Sequence, residues 1–134
     1  MIGNMCSNAI KTVMIVDDDA GIRETLVDYL EDEGYAVVEA AHGQDAIVKL
    51  RGLPEVQVPC VILLDLMMPV MNGAQFFEEQ QNDPLLSKIP VVVISADGNI
   101  REKAQAFGGE YLRKPMKIDQ VLDAVERHCA RLTT

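Results

Sequence analysis

Apolar residues fall along this chain in two alternating rhythms. A short run, Val13 to Val16, stops abruptly at Asp17, Asp18 and Asp19, as a strand buried on both faces does. Ile22, Leu26, Tyr29 and Leu30 then recur at the spacing of one helical face, with acids between them and Gly34 as a stop signal. The alternation repeats. Tyr35 to Val38 reads as a second strand, Ala46, Ile47 and Leu50 as the apolar face of a second helix, and Val61 to Leu64 as a third strand ending at Asp65. Beyond a turn at Pro69 and Asn72-Gly73, Phe76 and Phe77 mark a third helix, and Val91 to Ile94 form a fourth strand ending at Ser95. Ile100, Ala104 and Phe107 mark a fourth helix closed by Gly108-Gly109. Tyr111 and Leu112 make a short fifth strand, and Ile118, Val121, Leu122, Val125 and Cys129 stripe the last helix.

Five strands alternating with five helices predict an α/β fold, a doubly wound five-stranded parallel sheet covered on both faces, with right-handed crossovers. The 134 residues, 49% of them hydrophobic, suit one compact domain with its own core. We place that domain at 12–132. Residues 1–11 fit no element and are expected to form a flexible N-terminal extension. They lack the basic and apolar regions of a signal peptide, and no apolar stretch approaches the roughly 20 residues of a membrane helix. A cytoplasmic location is therefore expected.

Charge narrows the function classes. Twenty-one acidic residues against 12 basic ones leave a net charge of −9, which opposes direct nucleic-acid binding and association with an anionic membrane. Cys6, Cys60 and Cys129 are widely spaced and odd in number, so they read as reduced thiols behaving as small hydrophobes.

In an open parallel sheet, ligands bind beyond the carboxyl ends of the strands where the strand order reverses. Here those ends offer Asp17 and Asp18, then Asp65, then Ser95, with Lys114-Pro115 after the fifth strand. Two carboxylates ~4 Å apart repel by about 4 kcal/mol at an effective dielectric of 20, so three together call for a cation. Oxygen-only ligands suit Mg²⁺, which also neutralises an incoming phosphoryl group. Lys114 adds a fixed positive point and Ser95 a hydrogen bond to a phosphoryl oxygen. Asp65 is left as the nucleophile, forming an acyl phosphate.

From about Lys11 to Arg127 the chain closely resembles the response-regulator receiver family. The matching strings are VMIVDDDAGIR at 13–23, VILLDLMMPVMNG at 61–73, VVVISA at 91–96 and YLRKP at 111–115. The resemblance implies a chemotaxis-regulator-like receiver with the flavodoxin-like strand order 2-1-3-4-5. It makes Asp17 and Asp18 the metal acids, Asp65 the phosphoacceptor and the Met67 backbone carbonyl a further metal ligand. Ser95 stands at the hydroxyl switch position, where many members have Thr. Tyr111 is the aromatic switch, Lys114 the phosphate-binding lysine, and the Lys114-Pro115 bond is expected to be cis. Met116 replaces the aromatic residue that commonly follows. The implied partners are a histidine kinase or histidine phosphotransfer protein upstream, and a downstream protein target meeting the face of the fourth helix, fifth strand and fifth helix. The state is a monomer or a phosphorylation-dependent dimer. The implied role is a signalling switch and not an enzyme, beyond self-directed phosphotransfer and autodephosphorylation.

Several residues have plainer readings. Asp19 is expected to cap the first helix, His42 and His128 to be exposed or to complement a helix end, and the Met67 and Met68 side chains to pack. Asp17-x-Asp19 also matches the D-x-D of haloacid-dehalogenase-type phosphohydrolases, but that reading leaves Asp65 idle and lacks a late acidic pair after Lys114. A phosphorylation-independent interaction domain would have lost some of the acids or the lysine. No G-x-G-x-x-G opens the first helix, which excludes a dinucleotide-binding domain.

Overall fold

The computed structural model describes residues 10–67 and 71–130. Within them, five strands alternate with five helices: β1 (Thr12–Val16), α1 (Ala20–Asp32), β2 (Ala36–Ala40), α2 (Gly43–Gly52), β3 (Val61–Asp65), α3 (Gly73–Gln81), β4 (Val91–Ser95), α4 (Ile100–Ala104), β5 (Tyr111–Arg113) and α5 (Ile118–Ala130). All four strand pairings are parallel and the order is β2-β1-β3-β4-β5. The predicted architecture and order both hold. Met68, Pro69, Cys6, most of the N-terminal extension and the predicted domain end at 132 lie outside the described residues. Lys11, just before β1, is tied to β2, its carbonyl accepting the Ala36 N–H at 2.9 Å.

The period of two along each strand divides the core into layers. Met14, Val16, Ile62, Leu64 and Val93 face one way, against Ala46, Ile47 and Leu50 of α2, Phe76 of α3 and Ile100 of α4. Val13, Ile15, Val61, Leu63, Val92 and Ile94 face the other, against Leu26 and Leu30 of α1 and Val121 and Val125 of α5. The three central strands are therefore buried throughout, as their unbroken apolar runs require.

Local signals set the helix ends. Asp19 caps α1 by accepting the Ile22 N–H at 3.1 Å, as expected. Asn72 and Gln75 form a reciprocal capping box on α3, at 2.9 and 3.0 Å. Gly108 and Gly109 take left-handed φ values of 99° and 92°, the conformation that favours glycine.

Several expectations need correcting. Tyr29 is 46% exposed, because the buried stripe of α1 turns toward Val27 instead. The fourth helix is α-helical only to Ala104 and continues as a 3₁₀ turn through Phe107. A further 3₁₀ turn at Glu55–Gln57 precedes β3. Cys60 and Cys129 are not free thiols but form a disulfide, their Cα atoms 5.2 Å apart. Wide spacing hid the pair: β3 starts and α5 ends at the same place in the core. His128 lies in the last turn of α5, one of the two places expected of it, but it is not exposed: only 7% of it meets solvent, and its Nε2 meets Glu110 Oε1 at 2.6 Å. Gln80, fully buried, donates from Nε2 to the carbonyls of Leu86 and Ile89 at 2.8 and 2.9 Å and so closes the loop between α3 and β4.

Candidate functional site

The strand ends converge as a parallel sheet dictates. Asp17 extends the pairing of β1 with β2, its N–H donating to Ala40 O at 3.1 Å. Its side chain is buried, with Oδ1 accepting the Asp19 N–H at 2.9 Å. Asp18 next to it is exposed. Asp65, the last residue of β3, is 4% exposed and accepts the Met67 N–H at 3.1 Å. Lys114 is placed by β4, its N–H donating to Ser95 O at 2.9 Å, and the bond to Pro115 is cis as expected. Lys114 Nζ then lies 3.0 Å from Asp17 Oδ2 and 3.5 Å from Asp65 Oδ2.

Burial raises the Asp65 carboxyl to about 6, helped by the negative charges of Asp17 and Asp18 and opposed by the Met67 N–H and the Lys114 ammonium. Burial alone would lower the Lys114 ammonium, but the Asp17 carboxylate, and Asp65 behind it, hold it above the ordinary lysine range. Asp65 is thus poised near neutrality and Lys114 is a fixed cation.

The donors fit a hard divalent cation. Asp17, Asp18 and Asp65 each bring a carboxylate oxygen within 4.8 Å of the others. Asp17 Oδ2 is buried and faces Lys114 as an ion pair without the alignment of a hydrogen bond, so it retains capacity for a ligand. All the donors are oxygens, the set preferred by Mg²⁺ and Ca²⁺. Asp18, Asp65, Met67, Ser95, Asp97 and Lys114 line an open cleft of about 610 Å³ over this cluster.

Ser95 is buried, and its Oγ accepts the Asp97 N–H at 3.1 Å. Tyr111 does not line the cleft; it is partly buried against the core layer that α2, α3 and α4 cover. The Met67 side chain is 66% exposed, so it lines the cleft instead of packing into the core. Met68 is outside the described residues. His42 caps α2, its Nδ1 accepting the Asp45 N–H at 3.2 Å, and it is half-buried.

Two supporting residues escaped the sequence reading. Arg23 on α1 donates from Nη1 to Asp17 O at 2.6 Å and from Nε to Glu39 at 3.3 Å, which fixes the loop that carries both acids. Its position one helical turn past the Asp19 cap is the only sequence signal, and nothing there indicates a carbonyl target. Gly73 opens α3 so close to β3 that a Cβ there would lie 2.9 Å from Leu66 Cα and 3.1 Å from Asp65 O.

Residues 13–126 match the family described as "Response regulator receiver domain". The chain belongs to the response regulator receiver family. PilG of Pseudomonas aeruginosa is 30% identical over 124 residues, which span 90% of this chain and 89% of PilG. The DNA-binding dual master transcriptional regulator RpaA of Synechocystis is 33% identical over 116 residues, 84% of this chain but 46% of RpaA. The chain thus spans about half of some relatives and most of others. The chemotaxis protein CheY4 of Vibrio cholerae superposes with a TM-score of 0.78 at 28% identity, covering 90% of this chain and 99% of CheY4. Receiver domains act as switches in two-component signalling, interacting with histidine kinases and downstream effectors. No helix among the described residues is long and apolar enough to cross a membrane.

Proposed function

We propose that this receiver is switched by phosphorylation of Asp65. The observation that carries the reading is the position of the Asp65 carboxylate, between Lys114 Nζ at 3.5 Å and the Asp17 and Asp18 oxygens within 4.8 Å. An Asp65 oxygen forms a bond to the phosphorus of a phosphohistidine on a histidine kinase or histidine phosphotransfer protein. The phosphorus–nitrogen bond breaks and the imidazole leaves with its electron pair. Lys114 holds the negative oxygens of the transferred group, and Ser95 Oγ, which accepts the Asp97 N–H, keeps its hydroxyl proton to donate to one of them. Asp17, Asp18, Asp65 and the Met67 carbonyl would hold Mg²⁺. When bound, Mg²⁺ supplies charge neutralisation for the phosphoryl oxygens.

Ser95 engaging the phosphoryl group would pull on β4 and let the partly buried Tyr111 ring repack, changing the face of α4, β5 and α5 that a downstream protein meets. The domain acts in the cytoplasm as a monomer or a phosphorylation-dependent dimer, without direct nucleic-acid contact of its own, in keeping with its charge of −9.

Incubation with acetyl phosphate and Mg²⁺ should add one phosphoryl mass to the protein and none to Asp65→Asn. Mass gained by Asp65→Asn would sink the assignment. Tyr111 resonances should shift when beryllofluoride and Mg²⁺ are added together; unchanged resonances would remove Tyr111 from the switch.

A further inference from the structure

The Cys60–Cys129 disulfide lies far from the acidic cleft, and no phosphoryl chemistry uses it. Cys60 immediately precedes β3, at the end opposite Asp65, and Cys129 is in the last turn of α5. Both are nearly fully buried, but Cys60 also lines a largely apolar groove with Leu53, Val58, Leu86 and His128, a route by which a small thiol reagent reaches the sulfur. The surroundings suit both redox states. Cys60 Sγ lies 3.3 Å from the Thr12 carbonyl, which a reduced Cys60 thiol can use as a hydrogen-bond acceptor and a disulfide sulfur cannot. The end of α5 also has noncovalent anchors: Glu110 meets Arg127 Nη2 at 2.7 Å and His128 Nε2 at 2.6 Å. Opening the disulfide therefore leaves α5 docked, with a ready partner for one of the new thiols.

We infer that Cys60 and Cys129 form a redox-reversible modification site that staples the end of α5 to the start of β3 when oxidised and loosens it when reduced. The partner reagent is a small-molecule disulfide of the glutathione class. A Cys60 thiolate attacks one of its sulfurs and expels a thiolate, and Cys129 then attacks the mixed disulfide and expels the second. The two protein thiols give up two protons and two electrons, and the reagent leaves as two thiols. The inference does not depend on the phosphoryl reading, since Asp65→Asn leaves both cysteines in place.

The test equilibrates the folded full chain, without oxygen, in buffers running from reduced to oxidised glutathione. Acid quenching, alkylation and peptide mass mapping then follow. Cys60 and Cys129 should pass together from alkylated to protected at a midpoint inside the glutathione range, and dithiothreitol should reverse the change without unfolding. Amides of Glu126 to Ala130 should exchange roughly tenfold slower in the oxidised form, and melting should rise by roughly 10 °C. Cys129→Ala should lose the redox dependence; if it does not fold, the wild-type titration decides alone. The inference is overturned if the pair stays alkylatable in fully oxidised buffer, or if oxidation protects Cys6 with either partner. It is equally overturned if the bond resists dithiothreitol until the protein unfolds, or if exchange at the end of α5 is the same in both forms.

Discussion

Asp65 and Lys114 show how burial and charge oppose one another at single residues. Folded Asp65 keeps its proton up to about pH 6, whereas the unfolded side chain releases it near 3.8. Between those values the folded state binds more protons, so the contribution of Asp65 to stability falls as pH rises through that window and stays low above it. Metal-free protein should therefore lose on the order of 2 kcal/mol between about pH 4 and 6 from this group, and Asp65→Asn should flatten that slope in a pH series of denaturant melts. Lys114 acts in the opposite sense. Lys114→Ala leaves two buried carboxylates facing each other and should cost about 2 kcal/mol at pH 7, since breaking a buried pair strands its partners. The loss should shrink below pH 5, where Asp65 is protonated. A Lys114→Ala protein equally destabilised at pH 4.5 and 7 would show that Lys114 acts through packing. Asp18 is exposed, so Asp18→Asn should change metal-free stability little while weakening Mg²⁺ binding.

At the level of elements, the two helices flanking the site differ in how they begin. α3 has a complete capping box and a buried Phe76. α4 spans five residues, its Asn99 cap makes no side-chain hydrogen bond, and it passes into a 3₁₀ turn. Short helices without caps open at low cost. Amides of Ile100 to Ala104 should thus exchange faster than those of Phe76 to Gln80 in native-state hydrogen exchange; the reverse order would mean that tertiary packing holds α4. The start of α3 is tied to the site itself. Gly73→Ala would push on Leu66 and the Asp65 carbonyl, so we expect it to slow phosphorylation of Asp65 by acetyl phosphate several-fold while the helix persists by circular dichroism.

For the whole molecule, the acidic cluster makes stability depend on the ion it fits. Asp17, Asp18 and Asp65 are brought together only by folding, so Mg²⁺ should bind the native state and not the unfolded chain. At ten times its Kd, Mg²⁺ should add about 1.4 kcal/mol by mass action, read as a rising Tm at constant ionic strength. Asp65→Asn should respond far less. An equal response in both proteins would place the ion elsewhere.

Local periodicity was enough to read the alternation of strands and helices, because a two-residue period and a 3.6-residue period each state which face of an element must leave water. The same logic exposed the polar strand ends: apolar runs that stop at Asp17, Asp65 and Ser95 have no use for those side chains in a core. The Asp19 cap and the Gly108-Gly109 stop were legible for the same reason, since their partners lie within a few residues. Partners distant in sequence were not legible from periodicity. The order β2-β1-β3-β4-β5 came only through family resemblance, and it is the order that sets Lys114 against Asp17 across the sheet. Arg23 reaching a backbone carbonyl, Gln80 closing a loop from inside the core, and His128 turning inward to Glu110 are contacts of side chains whose type and spacing also suit solvent. Cys60 and Cys129 looked like separate small hydrophobes until the start of β3 and the end of α5 were brought side by side. Sequence periodicity records what each segment buries; only the crossover path and the register of the sheet decide which distant groups that burial brings into contact.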